Sequence, residues 1–174
     1  MRYFKICADK KNILPNFTNW YSKVRPGIWL AGQVYEVLKK RNYLKVELNP
    51  EILFPDVISN PCFMVSKEFA DLIRLYCPEI HFKYVILFDE KNKRTVSYQV
   101  PDLPEIDCLD DESELSRTGR EIIKGVLRGS RTRQEPIFRL KGTKENYVMA
   151  SLEFVESAYR REVRGMAIEE FIVR

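Results

Sequence analysis

The chain has little of the chemistry on which most enzymes depend. Its 174 residues include only seven glycines and one histidine, His81. No GxGxxG or GxxxxGK[ST] stretch is present, so the sequence has no glycine loop of the kind that binds phosphate. A serine or cysteine triad would need His81, and Pro78 breaks any helical face that it would share with Cys77. We expect a structural or surface histidine and a protein that is not an enzyme.

Cysteine pairs and long apolar runs are also missing. Cys7, Cys62, Cys77 and Cys108 are widely spaced and form no CxxC pair, which argues against a zinc or redox motif. We expect free thiols, no metal and no cofactor. No apolar run approaches the ~20 residues of a membrane-spanning helix, and residues 1–11 contain no apolar stretch long enough for a secretory signal, so we expect none. The sequence therefore predicts a cytoplasmic protein without a membrane partner.

Ordinary apolar content excludes global disorder. Hydrophobic residues make up 45% of the chain and aromatic residues 12%, enough for a core without a metal or disulfide. The length fits one domain. We predict a single domain over 1–174, with a basic part over 1–61 and a second part over 62–174.

Charge is unevenly distributed along the chain. Residues 1–48 carry ten Lys or Arg against three acids, residues 102–114 carry seven acids and no base, and residues 117–133 carry six bases and one acid. Such blocks can steer partners electrostatically. The simpler interpretation is that the last two blocks neutralise each other.

The acidic run over 102–114 allows two local interpretations. We expect it to lead into a helix capped by Ser113 or Asp111, because acids favour the positive end of a helix. A helix is also predicted for the basic stretch around Gly125 and Gly129. The alternative is an enzyme that binds a divalent metal through the clustered carboxylates. The run lacks the spacing and the turn glycine of a calcium loop.

Strand and helix patterns alternate along the chain. Strands are predicted over 2–7, 43–48, 62–65, 80–88, 94–100, 137–140, 147–150 and 166–173. The strands over 80–88 and 94–100 are predicted to form a hairpin around a turn over 89–93. Ser66 and Ser151 are expected to cap helices that end near Pro78 and Gly165. The predicted buried stripes are Phe69, Leu72, Ile73 and Tyr76 in the first helix, and Leu152, Val155, Ala158 and Tyr159 in the second. The fold class predicted is α+β, with a mixed, mostly antiparallel sheet and two or three helices on one side.

A short match suggests an internal repeat. MVSKEFAD at 64–71 and MASLEFVE at 149–156 share four of eight residues at an offset of 85. Either a β-α-β unit is duplicated, or similar capping residues made two unrelated units alike. Both interpretations remain open at this point.

Several motifs resemble a known family. VSKEF at 65–69, YQVPDL at 98–103, DCLDDESE at 107–114, IFRL at 137–140 and a late SxEF helix ending at Arg164-Gly165 occur in this order. This order resembles a family of bacterial immunity proteins of polymorphic toxin systems, a group named as a domain of unknown function with a myxobacterial type member. The resemblance covers about two thirds of the chain. It implies a cytoplasmic, non-enzymatic protein that binds and neutralises a cognate toxin, as a monomer or homodimer.

An acidic surface is the expected contact with a basic toxin, because opposite charges speed association. The contact residues predicted are Asp107, Asp110, Asp111, Glu112 and Glu114, with Trp20 and Trp29 as aromatic anchors if exposed. The alternative function is a nucleic-acid-binding module that uses the basic, aromatic N-terminal part. The absence of a nucleic-acid motif and the pI of 8.8 argue against that alternative.

Overall fold

Two six-stranded sheets and three helices make up the part of the chain that the structure describes. The computed structural model describes residues 1–12, 14–20, 31–47, 54–118, 121–143 and 145–174. Most strand pairs are antiparallel, so the predicted α+β class is confirmed. None of the helices described is long and apolar enough to cross a membrane.

Sheet A has the strand order β11-β14-β1-β13-β12-β8. Its central strand is β1, which pairs antiparallel with both β13 and β14. The outer pairs, β11 with β14 and β12 with β8, are parallel. The strands are β1 (Tyr3–Ala8), β8 (Glu105–Ile106), β11 (Val126–Leu127), β12 (Ile137–Leu140), β13 (Val148–Ser151) and β14 (Met166–Val173).

Sheet B has the order β2-β3-β6-β7-β5-β4. The β6–β7 hairpin and its turn over 89–93 form as predicted, and β3 runs parallel to β6. The strands are β2 (Asn16–Phe17), β3 (Arg41–Glu47), β4 (Val57–Ile58), β5 (Met64–Val65), β6 (Phe82–Asp89) and β7 (Arg94–Pro101). A separate two-stranded sheet pairs β9 (Glu114–Leu115) with β10 (Ile122–Lys124).

The helices are α1 (Ala31–Val37), α2 (Lys67–Tyr76) and α3 (Leu152–Arg160). Both predicted serine caps are confirmed: Ser66 Oγ accepts from the Phe69 N–H at 3.2 Å, and Ser151 Oγ accepts from the Phe154 N–H at 3.3 Å. Such a cap satisfies one of the unpaired amides of the first turn. Residues 21–30, which precede α1 in the sequence, lie outside the described residues.

The same topology occurs twice. Along sheet B, β3-β6-β7-β5-β4 matches β11-β14-β1-β13-β12 of sheet A, with the same strand directions. In each half, a helix connects two parallel strands that are separated by one antiparallel strand. Met64 pairs with Ile58, and Met149 pairs with Phe138 at the equivalent place. The predicted repeat is therefore confirmed at the level of topology.

The two halves exchange their central strands. β7, from the second half of the sequence, lies between β5 and β6, whereas β1, from the start of the chain, lies between β13 and β14. The predicted division at residue 61 therefore separates neighbouring strands: β4 and β5 lie on either side of it, and they pair. The basic N-terminal part also supplies the centre of sheet A.

One hydrophobic cluster joins both sheets through α2 and α3. Phe69 and Phe154, which occupy equivalent places in the two helices, are fully buried and meet edge to face at 5.7 Å between ring centroids. Such aromatic pairs favour this geometry. A second cluster lies on the other face of sheet B and a third on the other face of sheet A.

Two predictions about helix packing are wrong. The helices do not share one side, because α1 packs with Leu44, Val85 and Leu87 on the face of sheet B opposite α2. The predicted stripe of α3 holds for Val155 and Ala158, which are buried, and for Leu152, which packs against the first cluster. It is wrong for Tyr159, which is 49% exposed, and it omits the buried Phe154 and Ser157. Phe154 belongs to the buried face because its ring packs against Phe69 of α2.

Candidate functional site

The acidic run lies on the outer face of sheet A. β8 pairs parallel with β12, with Glu105 beside Arg139 and Ile106 beside Leu140. Ile106 and Cys108 are buried in the third cluster, and Asp107 between them is exposed. The period-two alternation of an extended chain thus directs the Asp107 carboxylate to solvent.

The prediction that the acidic run leads into a helix is wrong, because the described residues after it form β9 (Glu114–Leu115) and β10 (Ile122–Lys124). The Asp110 carboxylate accepts from the Glu112 N–H at 3.0 Å, and Ser113 Oγ both accepts from the Val126 N–H and donates to the Val126 carbonyl, each at 3.0 Å. The chain then enters β9, which pairs with β10. Ser113 therefore fastens two extended segments together and caps no helix. The stretch around Gly125 is also extended, as β10 and β11.

Arginines neutralise part of the acidic run. Arg128 Nε contacts Asp110 Oδ2 at 2.8 Å, Arg128 Nη2 contacts Asp111 Oδ2 at 2.6 Å, and Arg174 Nη1 donates to Glu112 Oε2. The Glu112 N–H and then the Arg128 guanidinium hold the pKa of Asp110 below its usual range. The prediction that the acidic and basic blocks offset each other is confirmed for Asp110 and Asp111.

Other predicted contact residues carry exposed charge. Asp107 and Glu114 are exposed and form no salt bridge within the described residues. The Asp111 side chain is 96% exposed even though it meets Arg128. The structure therefore brings Asp110, Asp111 and Glu112 together around two arginines, and leaves Asp107 apart from that network.

A groove of about 450 Å³ opens beside Asp107. Its walls carry both signs of charge, from Glu105, Asp107, Arg131, Arg133 and Lys141, together with Ile106 and Ser130. The cations come from a 3-10 turn (Gly129–Arg131), the segment after it and the end of β12. The basic block was visible in the sequence, but its position opposite Asp107 depends on the β8–β12 pairing, which has no local signal.

The basic wall of the groove includes an unusual backbone turn. Arg133 and Gln134 have φ values of +54° and +57°, in the left-handed region that non-glycine residues seldom adopt. The Glu135 N–H donates to the Thr132 carbonyl at 3.1 Å and closes the turn. The Tyr3 hydroxyl donates to the Glu135 carbonyl at 3.1 Å, so the central strand of sheet A helps to fix it.

Trp20 is buried and therefore lacks the exposure that an aromatic anchor needs. Trp20 is 1% exposed and packs in the second cluster, because its indole fills the outer face of sheet B near Leu44 and Leu87. Trp29 and Tyr21 lie outside the described residues. Other N-terminal aromatics, Tyr3, Phe4 and Tyr35, are buried as well, whereas Tyr43 is 61% exposed.

The thiols and the histidine form no reactive arrangement in the described residues. The four cysteines are free, as predicted, and burial raises the pKa of Cys62 to about 12 and those of Cys77 and Cys108 to about 11. The His81 ring is exposed and its Nδ1 lies 2.8 Å from the Glu79 carbonyl. No group of three His, Cys, Asp or Glu side chains able to hold a metal is found in this part of the chain.

No protein-family model matches the chain, and no curated protein is significantly similar to it.

Proposed function

We propose that the chain is a non-enzymatic immunity protein that binds a cognate bacterial toxin in the cytoplasm and neutralises it. The family resemblance of residues 65–165 supports this proposal. The groove beside Asp107 is the observation that carries it.

Both signs of charge in the groove favour a protein partner. Glu105 and Asp107 would repel a polyanion, whereas Arg131, Arg133 and Lys141 would repel a polycation. A folded protein surface offers acidic and basic side chains together, and complementary pairs fix orientation as well as rate. A toxin loop with both charges is the ligand that suits these walls.

The two acids that pair with Arg128, Asp110 and Asp111, suit a preorganised part of this interface. Arg128 already binds Asp110 and Asp111, so these carboxylates are held in place before a partner arrives. Holding side chains in advance lowers the entropy cost of binding. Asp107 and Glu114, by contrast, are exposed and form no salt bridge with a described residue, so in this proposal they contact a basic patch of the toxin directly.

An affinity pull-down from host lysate, with and without nuclease, tests the proposal. We expect one large protein to be retained after nuclease treatment, and co-expression with the tagged chain to rescue cells from that protein. Loss of every bound species on nuclease treatment would overturn the proposal.

Charge reversals locate the interface. Asp107→Lys and Arg133→Glu should each weaken toxin binding at least tenfold, because each places like charges together. Glu156→Lys is the matched control, since Glu156 is an exposed acid on α3, across sheet A from the groove. Equal losses for all three variants would count against a contact at the groove.

A further inference from the structure

Part of sheet B exposes two tyrosines on neighbouring strands. Tyr43 on β3 is 61% exposed and Tyr84 on β6 is 41% exposed. α2 packs over this face of the sheet near β7, where Arg74 stacks on Phe82 and donates to Gln99. Among the described residues, no comparable helix contact is found over β3 and the far end of β6, where Tyr43 and Tyr84 are exposed.

The register places the tyrosines on one face. Arg41 pairs with Tyr84, Tyr43 with Ile86, and Lys45 with Phe88. The alternate residues Leu44, Val85 and Leu87 point to the second cluster on the other side. Neighbouring strands lie about 4.8 Å apart, so the two rings are diagonal neighbours on a flat surface.

Hydrogen bonds fix the backbone at Tyr84. The Tyr84 N–H donates to the Lys40 carbonyl at 2.9 Å. Asn42 Nδ2 donates to the Tyr84 carbonyl at 3.1 Å and to the Lys39 carbonyl at 2.7 Å. A flat ligand stacked on these rings would therefore order little of the protein, which lowers the cost of binding.

Cations border the rings. Lys39, Lys40 and Arg41 are consecutive and exposed, and none of them forms a salt bridge with a described residue. Lys45 follows on the same face, 3.3 Å from Glu90. Exposed aromatic faces beside unpaired cations are the combination that binds stacked bases and their phosphates.

We propose that this face, Lys39–Lys45 with Tyr84, binds a short single-stranded nucleic acid. Tyr43 and Tyr84 stack on two bases, and Lys39, Lys40 and Arg41 contact the phosphates. The site is separate from the groove beside Asp107, and it does not rest on the toxin-binding proposal. This site differs from the nucleic-acid-binding module that the sequence suggested for the basic N-terminal part. Tyr84 lies outside that part, and Tyr3, Phe4 and Trp20 within it are buried.

Fluorescence anisotropy with labelled ten-nucleotide RNA and DNA of mixed sequence tests the proposal. Tyr43→Ala and Tyr84→Ala should each weaken binding by roughly 5- to 150-fold, the range for loss of one stacked base. Tyr43→Phe should keep binding, because its ring still stacks. Tyr159→Ala is the matched control: Tyr159 is 49% exposed on α3, outside this face, and its loss should change nothing.

Salt and folding controls complete the experiment. The affinity should fall as salt rises, and Arg41→Gln should reduce that dependence. Circular dichroism melts must show each variant folded. No binding of either oligonucleotide at micromolar protein and low salt would overturn the proposal, as would equal binding by Tyr43→Ala, Tyr84→Ala and Tyr159→Ala. Capture of a protein that depends on Tyr43 and Tyr84, without oligonucleotide binding, would also overturn it.

Discussion

The exchanged central strands predict that neither half of the chain folds alone. Cutting the chain between Asn92 and Lys93, in the β6–β7 turn, gives a first half that lacks β7 and a second half that lacks β1. Sheet A of the second half then has a gap between β13 and β14, and sheet B of the first half has a gap between β5 and β6.

The size of the loss follows from burial. Tyr3, Phe4 and Ile6 of β1 are 0%, 6% and 1% exposed, and full burial of such side chains contributes about 1.5–3 kcal/mol each, or roughly 5–9 kcal/mol together. A whole domain is stable by only about 5–15 kcal/mol. Loss of β1 therefore removes most or all of the stability of the second half.

The assay compares the halves alone and mixed. Residues 1–92 and 93–174 should each lack a cooperative thermal transition by circular dichroism, and an equimolar mixture should regain one and elute as a 1:1 complex. Ile6→Ala in the first half should weaken association by about 2–5 kcal/mol, whereas Ile168→Ala, at a side chain that is 37% exposed, should have little effect. A second half that melts alone as it does in the mixture would refute this reasoning.

Two further predictions concern stability. Gly165→Ala should lower the free energy of unfolding by more than about 2 kcal/mol, because φ is +72° and the new Cβ would lie 2.4 Å from Pro55 Cβ. Gly142→Ala, at φ +82° with nothing within 4 Å, should cost only about 1–2 kcal/mol, the penalty for an L-residue in the left-handed region. Equal losses in urea unfolding would contradict the clash. Stability should fall as pH rises above about 9, because the buried Cys62 thiol, with its pKa raised to about 12, stays protonated in the folded state while the unfolded thiol ionises. Cys62→Ala should flatten this alkaline slope, and an unchanged slope in urea unfolding between pH 8.5 and 10.5 would argue against the cause.

Local signals predicted many elements of the fold. The Ser66 and Ser151 caps, the stop before Pro78 and the β6–β7 hairpin depend on residues a few positions apart, and the structure confirms them. The weak repeat of MVSKEFAD and MASLEFVE also marked a true topological repeat.

Pairing between segments that are far apart in the sequence could not be predicted from local sequence patterns. The acidic run has cap-like residues, and only the pairing of β9 with β10 and the Ser113–Val126 hydrogen bonds show that it continues as extended chain. The burial of Trp20 and the groove beside Asp107 likewise depend on which strands meet. Their residue types were visible in the sequence, but their neighbours were not.

The position of β1 sets an order for folding during synthesis. Among the described strands β1 is made first, yet its partners β13 and β14 are made after most of the others. The Arg2–Glu170 pair spans 168 residues. Such distant contacts slow folding, since a long loop must close before they form. Tyr3, Phe4 and Ile6 therefore stay without their native partners until β13 and β14 have been made, and this apolar segment is where we expect a chaperone to bind the nascent protein.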